Sequence, residues 1–391
     1  MAFDHFPKNK RLKRLSGIRV PLSPQLKKKK QAPLAVHYGR KLLRFLEKKK
    51  GSLSPLLIVA HDYPDPDAIA TALALQYLAE RRYSIRSRIV YAGIIGRVEN
   101  RAMVDLLKIS IHKFRPSDIS SFAHTALIDT QPEFENNPYP RNKKVTLVID
   151  QHPYVKRPLA ELALIDTECG ATSVILAQAL LLSGLEIPKR VATALAYGIL
   201  SDTLGLYRAH RADIIQTYLD ILPLCDMRAL IRIQNPPKSK KFFSTLNRGL
   251  QGAQVFRGVI VSHLGEVEHP DLVSEIADFL LTYKGMERSL CTGRYKGKLH
   301  VSLRSNRLTD ETPEILRDIF DNRKEAGGHD RVAGGSFYVR GKGKEESSWK
   351  EVEAMLVSRL IKRLRLPSKA DFCKPFEHEK PATVFLKELQ K

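Results

Sequence analysis

Apolar and polar positions divide the chain into short buried runs separated by amphipathic stretches. From Val36 onward, Leu42, Leu43, Phe45 and Leu46 group on one side of a helix with Lys and Arg opposite, and Gly51 and Pro55 end it. Leu56-Leu57-Ile58-Val59-Ala60 then reads as a buried strand, residues 68–79 as a helix and residues 87–92 as a strand. Ala126-Leu127-Ile128 and Thr146-Leu147-Val148-Ile149 are two further short apolar strands, and residues 171–182 and 191–199 are helices. Strands alternating with helices predict a parallel sheet covered on both faces, an α/β fold. The rhythm breaks over residues 226–256, where Asn235-Pro236-Pro237 and Lys238, Lys240 and Lys241 suggest a connector with some helix. Residues 255–264 and 299–304 read as strands, 270–281 as a helix and 349–364 as a closing helix, with Gly327-Gly328-His329 and Gly334-Gly335 as punctuation. The division that follows is an arm 1–35, a first domain 36–225, a connector 226–255, a smaller second α/β domain 256–365 and a charged tail 366–391.

Composition sharpens this picture. The chain has 391 residues, enough for two ordinary domains, and its 43% hydrophobic and 27% charged residues exclude wholesale disorder. The net charge is +23, and residues 1–50 hold 16 of the 65 basic residues against Asp4 and Glu47. Such an arm, with Lys27-Lys28-Lys29-Lys30 at its centre, suits non-specific attraction to phosphate backbones such as RNA. No run approaches the roughly 20 apolar residues of a bilayer span. The longest, residues 171–185, is interrupted by Ser173, Gln178 and Ser183 and reads as a buried helix. The cysteines Cys169, Cys225, Cys291 and Cys373 are too scattered for a zinc ribbon or a disulfide framework, and a reducing cytoplasm is the simplest compartment.

Chemistry concentrates at the ends of the apolar runs. His61-Asp62-Tyr63-Pro64-Asp65-Pro66-Asp67 lies between a strand and a helix, where open α/β sheets bind ligands. His61, Asp65 and Asp67 there are a compact set of metal ligands on a loop stiffened by two prolines, although Asp65 or Asp67 also suits helix capping. Asp129 and Asp150 each follow a strand, His152 comes two residues after Asp150, and Asp202 follows the helix 191–199. Several carboxylates converging on one sheet edge leave like charges uncompensated unless a cation binds among them. Thr172 or Ser173 reads as an N-cap.

In this order and spacing, His61-x-x-x-Asp65-x-Asp67, Asp129, Asp150-Gln151-His152, Asp202-Thr203 and Gly327-Gly328-His329 resemble the DHH/DHHA1 phosphoesterases. The likeness covers roughly residues 51–340. It is nearer to the short members that degrade very short RNAs (nanoRNases) or dephosphorylate pAp than to the RecJ-type exonucleases. The resemblance implies a parallel-sheet DHH domain and a smaller DHHA1 domain, with hydrolysis in the cleft between them by metal-activated water. It implies two manganese ions, with magnesium or cobalt as alternatives. His61, Asp65 and Asp129 would hold one ion, and Asp67, Asp129 and Asp202 the other. His152 would face the phosphate, with Asp150 orienting it. Gln151 replaces the family's first histidine, a ligand of the second ion, and an amide oxygen is the weaker ligand, so that ion is expected to be loosely held. Arg304, Ser305, Gly327, Gly328 and His329 would contact the substrate, the glycines by offering backbone amides to an anion. The implied substrate is a short oligonucleotide, a dinucleotide or a nucleoside bisphosphate. A nucleotide- or RNA-binding protein weakened in catalysis and an inorganic pyro- or polyphosphatase are the alternatives. An oligomer is compatible with this arrangement.

Overall fold

The computed structural model describes residues 33–154, 156, 158–307, 309–329, 331–339, 346–367 and 372–376. The basic arm up to residue 32 and most of the charged tail lie outside the described residues, and so does any contact they make with RNA. The first half of the chain runs α1 (Leu34–Lys49), β1 (Leu56–Ala60), α2 (Pro66–Tyr83), β2 (Ser87–Tyr91), α3 (Val98–Leu106), β3 (Ile111–Lys113), α4 (Pro116–Ser121), β4 (His124–Ile128), β5 (Val145–Asp150), β6 (Ala160–Ile165), α5 (Ser173–Ser183), α6 (Lys189–Asp202) and α7 (Ala212–Ile221). Its strands form one sheet in the order β3-β2-β1-β4-β5-β6, parallel throughout. The period-two alternation of a strand explains why nearly every position is apolar. Ile58, Ala126, Ile128, Leu147 and Ile149 face the core built with α1, α2, α5 and α6. Leu57, Val59, Leu127 and Val148 face the opposite layer, which includes Tyr139, Phe114 and Phe122.

This topology places the carboxylates. The chain leaves β1 toward β2 on one side and later returns to β4 on the other, so the order reverses at the β1/β4 pair. Such a switch point opens a crevice at the carboxyl ends of the strands. His61 directly follows β1, Asp129 directly follows β4, and Asp150 ends β5. The helix after β1 starts sharply because Asp65 caps it, accepting from the Ala68 N–H at 2.9 Å, with Pro66 as first helical residue.

The second half runs α8 (Met227–Gln234), α9 (Lys240–Gln251), β7 (Gln254–Phe256), β8 (Val259–Glu266), α10 (Asp271–Leu281), β9 (Arg288–Tyr295), β10 (Lys298–Ser305), α11 (Thr312–Ile319), β11 (Ala326–His329), β12 (Val332–Tyr338) and α12 (Glu346–Arg363). The stretch read as a connector thus carries two helices. The run 255–264, read as one strand, is a hairpin, because Arg257 and Gly258 both take positive φ and turn the chain. The glycines read as punctuation sit in paired strands, Gly327 opposite Gly334 and Gly328 opposite Ala333. The sheet, ordered β11-β12-β10-β9-β8-β7, is antiparallel except where β8 pairs with β9. One face packs on α11 and α12 through Leu303, Leu316 and Leu356, and the other on α9 and α10 through Ile260, Leu264 and Ile276. From the expected tail, Cys373 bridges to Val255 and Phe376 stacks edge-on against Tyr283. Among the described residues, no helix is long and apolar enough to cross a membrane.

Candidate metal centre

At the β1/β4 crevice the structure brings His61, Asp65 and Asp129 together, each offering a donor atom within 4.8 Å of the others. The His61 Nδ1 lies 2.7 Å from the Asp62 carbonyl, which keeps a proton there and makes Nε2 the nitrogen that would give its lone pair to a cation on losing its proton. That Nε2 is 3.7 Å from Asp65 Oδ1 and 3.6 Å from Asp129 Oδ2. Asp129 holds a left-handed backbone, φ 57°, a conformation that a short polar residue adopts more readily than most. Its Oδ1 accepts from the Thr172 hydroxyl at 2.7 Å. Thr172, expected as an N-cap, therefore spends its side chain on Asp129 and makes no capping bond of its own.

Asp67 is fully buried. Its two oxygens accept from the backbone N–H groups of Thr172, at 2.6 Å, and Ser173, at 2.8 Å, at the N-terminus of α5. Asp202 reaches the same place as the last residue of α6. That helix lies close to α2 at Gly198, where a Cβ would stand only 3.2 Å from the Asp67 Cα. Gln151 spans the two acids, its Nε2 donating to Asp202 Oδ2 at 2.5 Å and reaching Asp67 Oδ2 at 3.5 Å. In this orientation Gln151 presents a donor to the carboxylates, so a second ion there requires the amide to turn its oxygen inward. Asp129, Asp150 and His152 also offer donor atoms within 4.8 Å of one another. There the 2.8 Å contact between His152 Nδ1 and Asp150 Oδ1 reads as a hydrogen bond that orients the ring. Asp150 further accepts from the Gln151 N–H at 2.8 Å and from Gln131 Nε2 at 2.6 Å, and that same amide bonds the His152 carbonyl at 2.8 Å.

The electrostatics are those of clustered, buried carboxylates. Burial first, then the charges of Asp202 and Asp129, push Asp67 well above the usual carboxylate range, and burial and Asp65 do the same to Asp202. Burial and the charge of Asp65 raise Asp129 to about 6. Burial works against a charged His61, but Asp65 and Asp129 outweigh it and carry the imidazole to about 10. Burial likewise opposes a charged His152, and Asp150 and Asp129 lift it to about 9. Asp65, against its burial, is held down to about 2 by His61. Hard carboxylate oxygens with one oriented imidazole fit a divalent ion such as manganese. The His61, Asp65 and Asp129 group fits as it stands.

No protein-family model matches the chain. Over 303 residues, 75% of this chain, it is 33% identical to an uncharacterised protein of Methanocaldococcus jannaschii and covers 60% of it. Over 156 residues, 39% of this chain, it is 26% identical to a probable manganese-dependent inorganic pyrophosphatase of Streptococcus pyogenes and covers 50% of it. The chain thus spans half to three-fifths of these relatives' length. Among solved structures, an exopolyphosphatase-related protein of Bacteroides fragilis matches 84% of this chain and 98% of its own, with TM-score 0.65 and 18% identity. That likeness covers most of the chain, and the order of the motifs is the one that resembles the DHH/DHHA1 phosphoesterases. The chain shares this fold. RecJ of Thermus thermophilus, solved in complex with Mn2+, shares the fold over 86% of this chain and 56% of its own, with TM-score 0.50 and 16% identity.

The second domain forms the opposite wall of a cavity of about 450 Å³ that is lined by Asp65 and Asp202 on one side and Arg304 and Ser305 on the other. Arg304 is buried, and two of its nitrogens are engaged. Nε binds Asp278 Oδ1 at 2.6 Å, and one terminal nitrogen binds the Leu303 and Ala333 carbonyls at 3.2 and 3.0 Å. Arg97 of the first domain reaches the same Asp278 carboxylate at 3.5 Å. Ser305 donates to Asp310 at 2.6 Å, and Asp310 in turn pairs with Arg288. Gly327 and Gly328 lie in β11, and Gly328 lines a neighbouring cavity with Arg331 and Tyr207. His329 ends the same strand, and its side chain is outside the described residues. Arg208 and His210, which had no assigned role, line the metal cavity beside His61 and His152. Gln131, Thr172, Arg97 and Asp278 were also missed. Gln131 stands two residues after Asp129 and Thr172 opens a predicted helix, so both carried a weak local signal, whereas Arg97 and Asp278 carried none.

Proposed function

We propose that the chain is a manganese-dependent phosphoesterase that hydrolyses short oligonucleotides, dinucleotides or nucleoside bisphosphates in the cleft between the DHH and DHHA1 domains. The observation that carries this reading is the trio His61, Asp65 and Asp129, gathered at the sheet's switch point, with Asp65 also lining the neighbouring cavity whose far wall bears Arg304. These three residues would hold the ion. Asp67, Asp202 and Gln151 would hold a second, weaker one. A divalent ion there supplies Lewis acidity and makes water acidic enough to attack a phosphate near neutral pH. His152, with Nδ1 tied to Asp150, is left to present Nε2 to the substrate, where an imidazolium donates a hydrogen bond to a phosphate oxygen. Arg304, held in place by Asp278, supplies positive charge on the far wall without moving. The free cysteines suit a reducing cytosol.

An inorganic pyro- or polyphosphatase is the second reading, favoured by the relative named as a probable manganese-dependent inorganic pyrophosphatase. The test is purified protein with manganese, offered in parallel a labelled dinucleotide, pAp, pyrophosphate and a longer RNA. Turnover of the dinucleotide or pAp well above pyrophosphate supports the proposal. The reverse preference replaces it with the second reading. Binding without turnover of any of them makes the chain a nucleotide-binding protein.

A further inference from the structure

Two positions before Asp65, Tyr63 breaks the habits of its residue type. The residue is 63% exposed. Its backbone is left-handed, φ 56°, a region that bulky residues avoid unless their surroundings hold them there. The surroundings do hold it. The Tyr63 N–H donates to the Ala92 carbonyl at 3.0 Å, and the ring lies so close to Gly93 that a Cβ there would stand 2.8 Å from it. Pro64 and the capped start of α2 stiffen the other side. A large aromatic ring is thus locked by strained backbone at the wall of the cavity that also holds Asp65, Asp202, Arg97 and Arg304.

We propose that Tyr63 is a specificity-determining residue, a stacking platform for the nucleobase next to the scissile phosphate. The inference rests on the phosphoesterase reading and narrows its substrate. The carboxylate end of the cavity would seat a phosphate through a bound cation, with Arg304 and Arg331 on the wall opposite. Beside them, the exposed face of Tyr63 offers flat apolar area. Inorganic pyrophosphate has nothing to lay on such a face, whereas every nucleobase has a π-surface that stacks on an aromatic ring. A strained, solvent-facing tyrosine that serves no core has a use only if the substrate carries a base. The cavity, about 450 Å³, is within the range of small-molecule sites and suits one nucleotide unit.

The test compares a dinucleotide with its abasic counterpart, which has the same sugar–phosphate backbone and no bases, both in saturating manganese. Tyr63→Gly removes the ring while suiting the left-handed backbone, so its melting temperature should not fall, and Tyr63→Trp restores a ring. The wild type should prefer the dinucleotide. In Tyr63→Gly the ratio of kcat/KM for dinucleotide over abasic substrate should drop by roughly tenfold, the scale of one lost base stack, mainly through KM. Tyr63→Trp should recover it. If the wild type prefers the dinucleotide and Tyr63→Gly leaves the ratio unchanged, the platform is wrong and the phosphoesterase reading stands. Equal rates on the two substrates also overturn the platform. If neither is hydrolysed and pyrophosphate is, the functional reading fails and takes the platform with it.

Discussion

The two walls of the cleft treat charge in opposite ways. On the first domain's wall, Asp65, Asp67, Asp129 and Asp202 crowd together, and three of the four rise above the ordinary carboxylate range. On the second domain, the buried arginines have acids of their own, Arg304 with Asp278 at the cleft and Arg288 with Asp310 behind it. The second wall satisfies its buried charge within itself. The first does so only by taking up protons or a cation. A surface that is unfinished without a ligand reads as a site, and one that is finished reads as the scaffold that holds a site's far side.

The largest break in this comparison should come at Asp129. Asp129→Asn keeps the left-handed backbone but removes the charge that faces His61 and Asp65. Manganese-dependent turnover should fall by roughly a thousandfold, as expected when several kcal/mol of metal-assisted stabilisation is lost. Steady-state rates against manganese concentration check this, and wild-type turnover in the variant would remove the centre from the account.

Next comes the stability of the metal-free protein. His61 moves from 6.5 to about 10 on folding, so its contribution is complete below pH 6.5 and is lost as pH rises toward 10. Asp129 moves from 3.8 to about 6, so the folded state is favoured while it holds its proton and loses that advantage as pH climbs from 3.8 to 6. Both slopes run the same way. Thermal melts of metal-free protein should therefore worsen steadily from mildly acidic to alkaline pH. Manganese at a hundredfold excess over its Kd should raise the midpoint by roughly 5–10 °C, most clearly at alkaline pH.

A matched pair of substitutions sharpens the contrast between the walls. Asp278→Ala strands the buried Arg304 and should cost about 2 kcal/mol, below the range for fully buried pairs because Asp278 is half-exposed. Asp202→Asn relieves repulsion and should stabilise the metal-free protein. Denaturant midpoints without metal test both signs, and two losses of equal size would erase the distinction.

The smallest effect concerns Gln151. Gln151→His exchanges an amide for an imidazole between Asp67 and Asp202, and should lower the manganese concentration for half-maximal activity by about tenfold. Superimposable titrations would place Gln151 outside any metal site.

What could be read in advance follows the range of the interactions. The parallel sheet was legible because β1, β4 and β5 are buried on both faces and therefore read as unbroken apolar runs. His61, Asp65 and Asp67 were legible because seven consecutive residues carry them. β6 was missed because it is a half-buried edge strand. The β7–β8 hairpin was missed because its turn is only Arg257-Gly258, inside an apolar run. The Arg97–Asp278 contact spans 181 positions of chain, and nothing near either residue announces it. Tyr63 lay in the most informative segment, yet its exposure and strain exist only once Gly93 is packed against it.

Anomalous diffraction at the manganese edge, from crystals soaked in manganese, tests the central claim most directly. The account predicts a strong peak bonded to His61 Nε2, Asp65 and Asp129, and a weaker or absent one among Asp67, Asp202 and Gln151. No peak at the first position at saturating manganese, with His61, Asp65 and Asp129 still gathered as they are here, would contradict it.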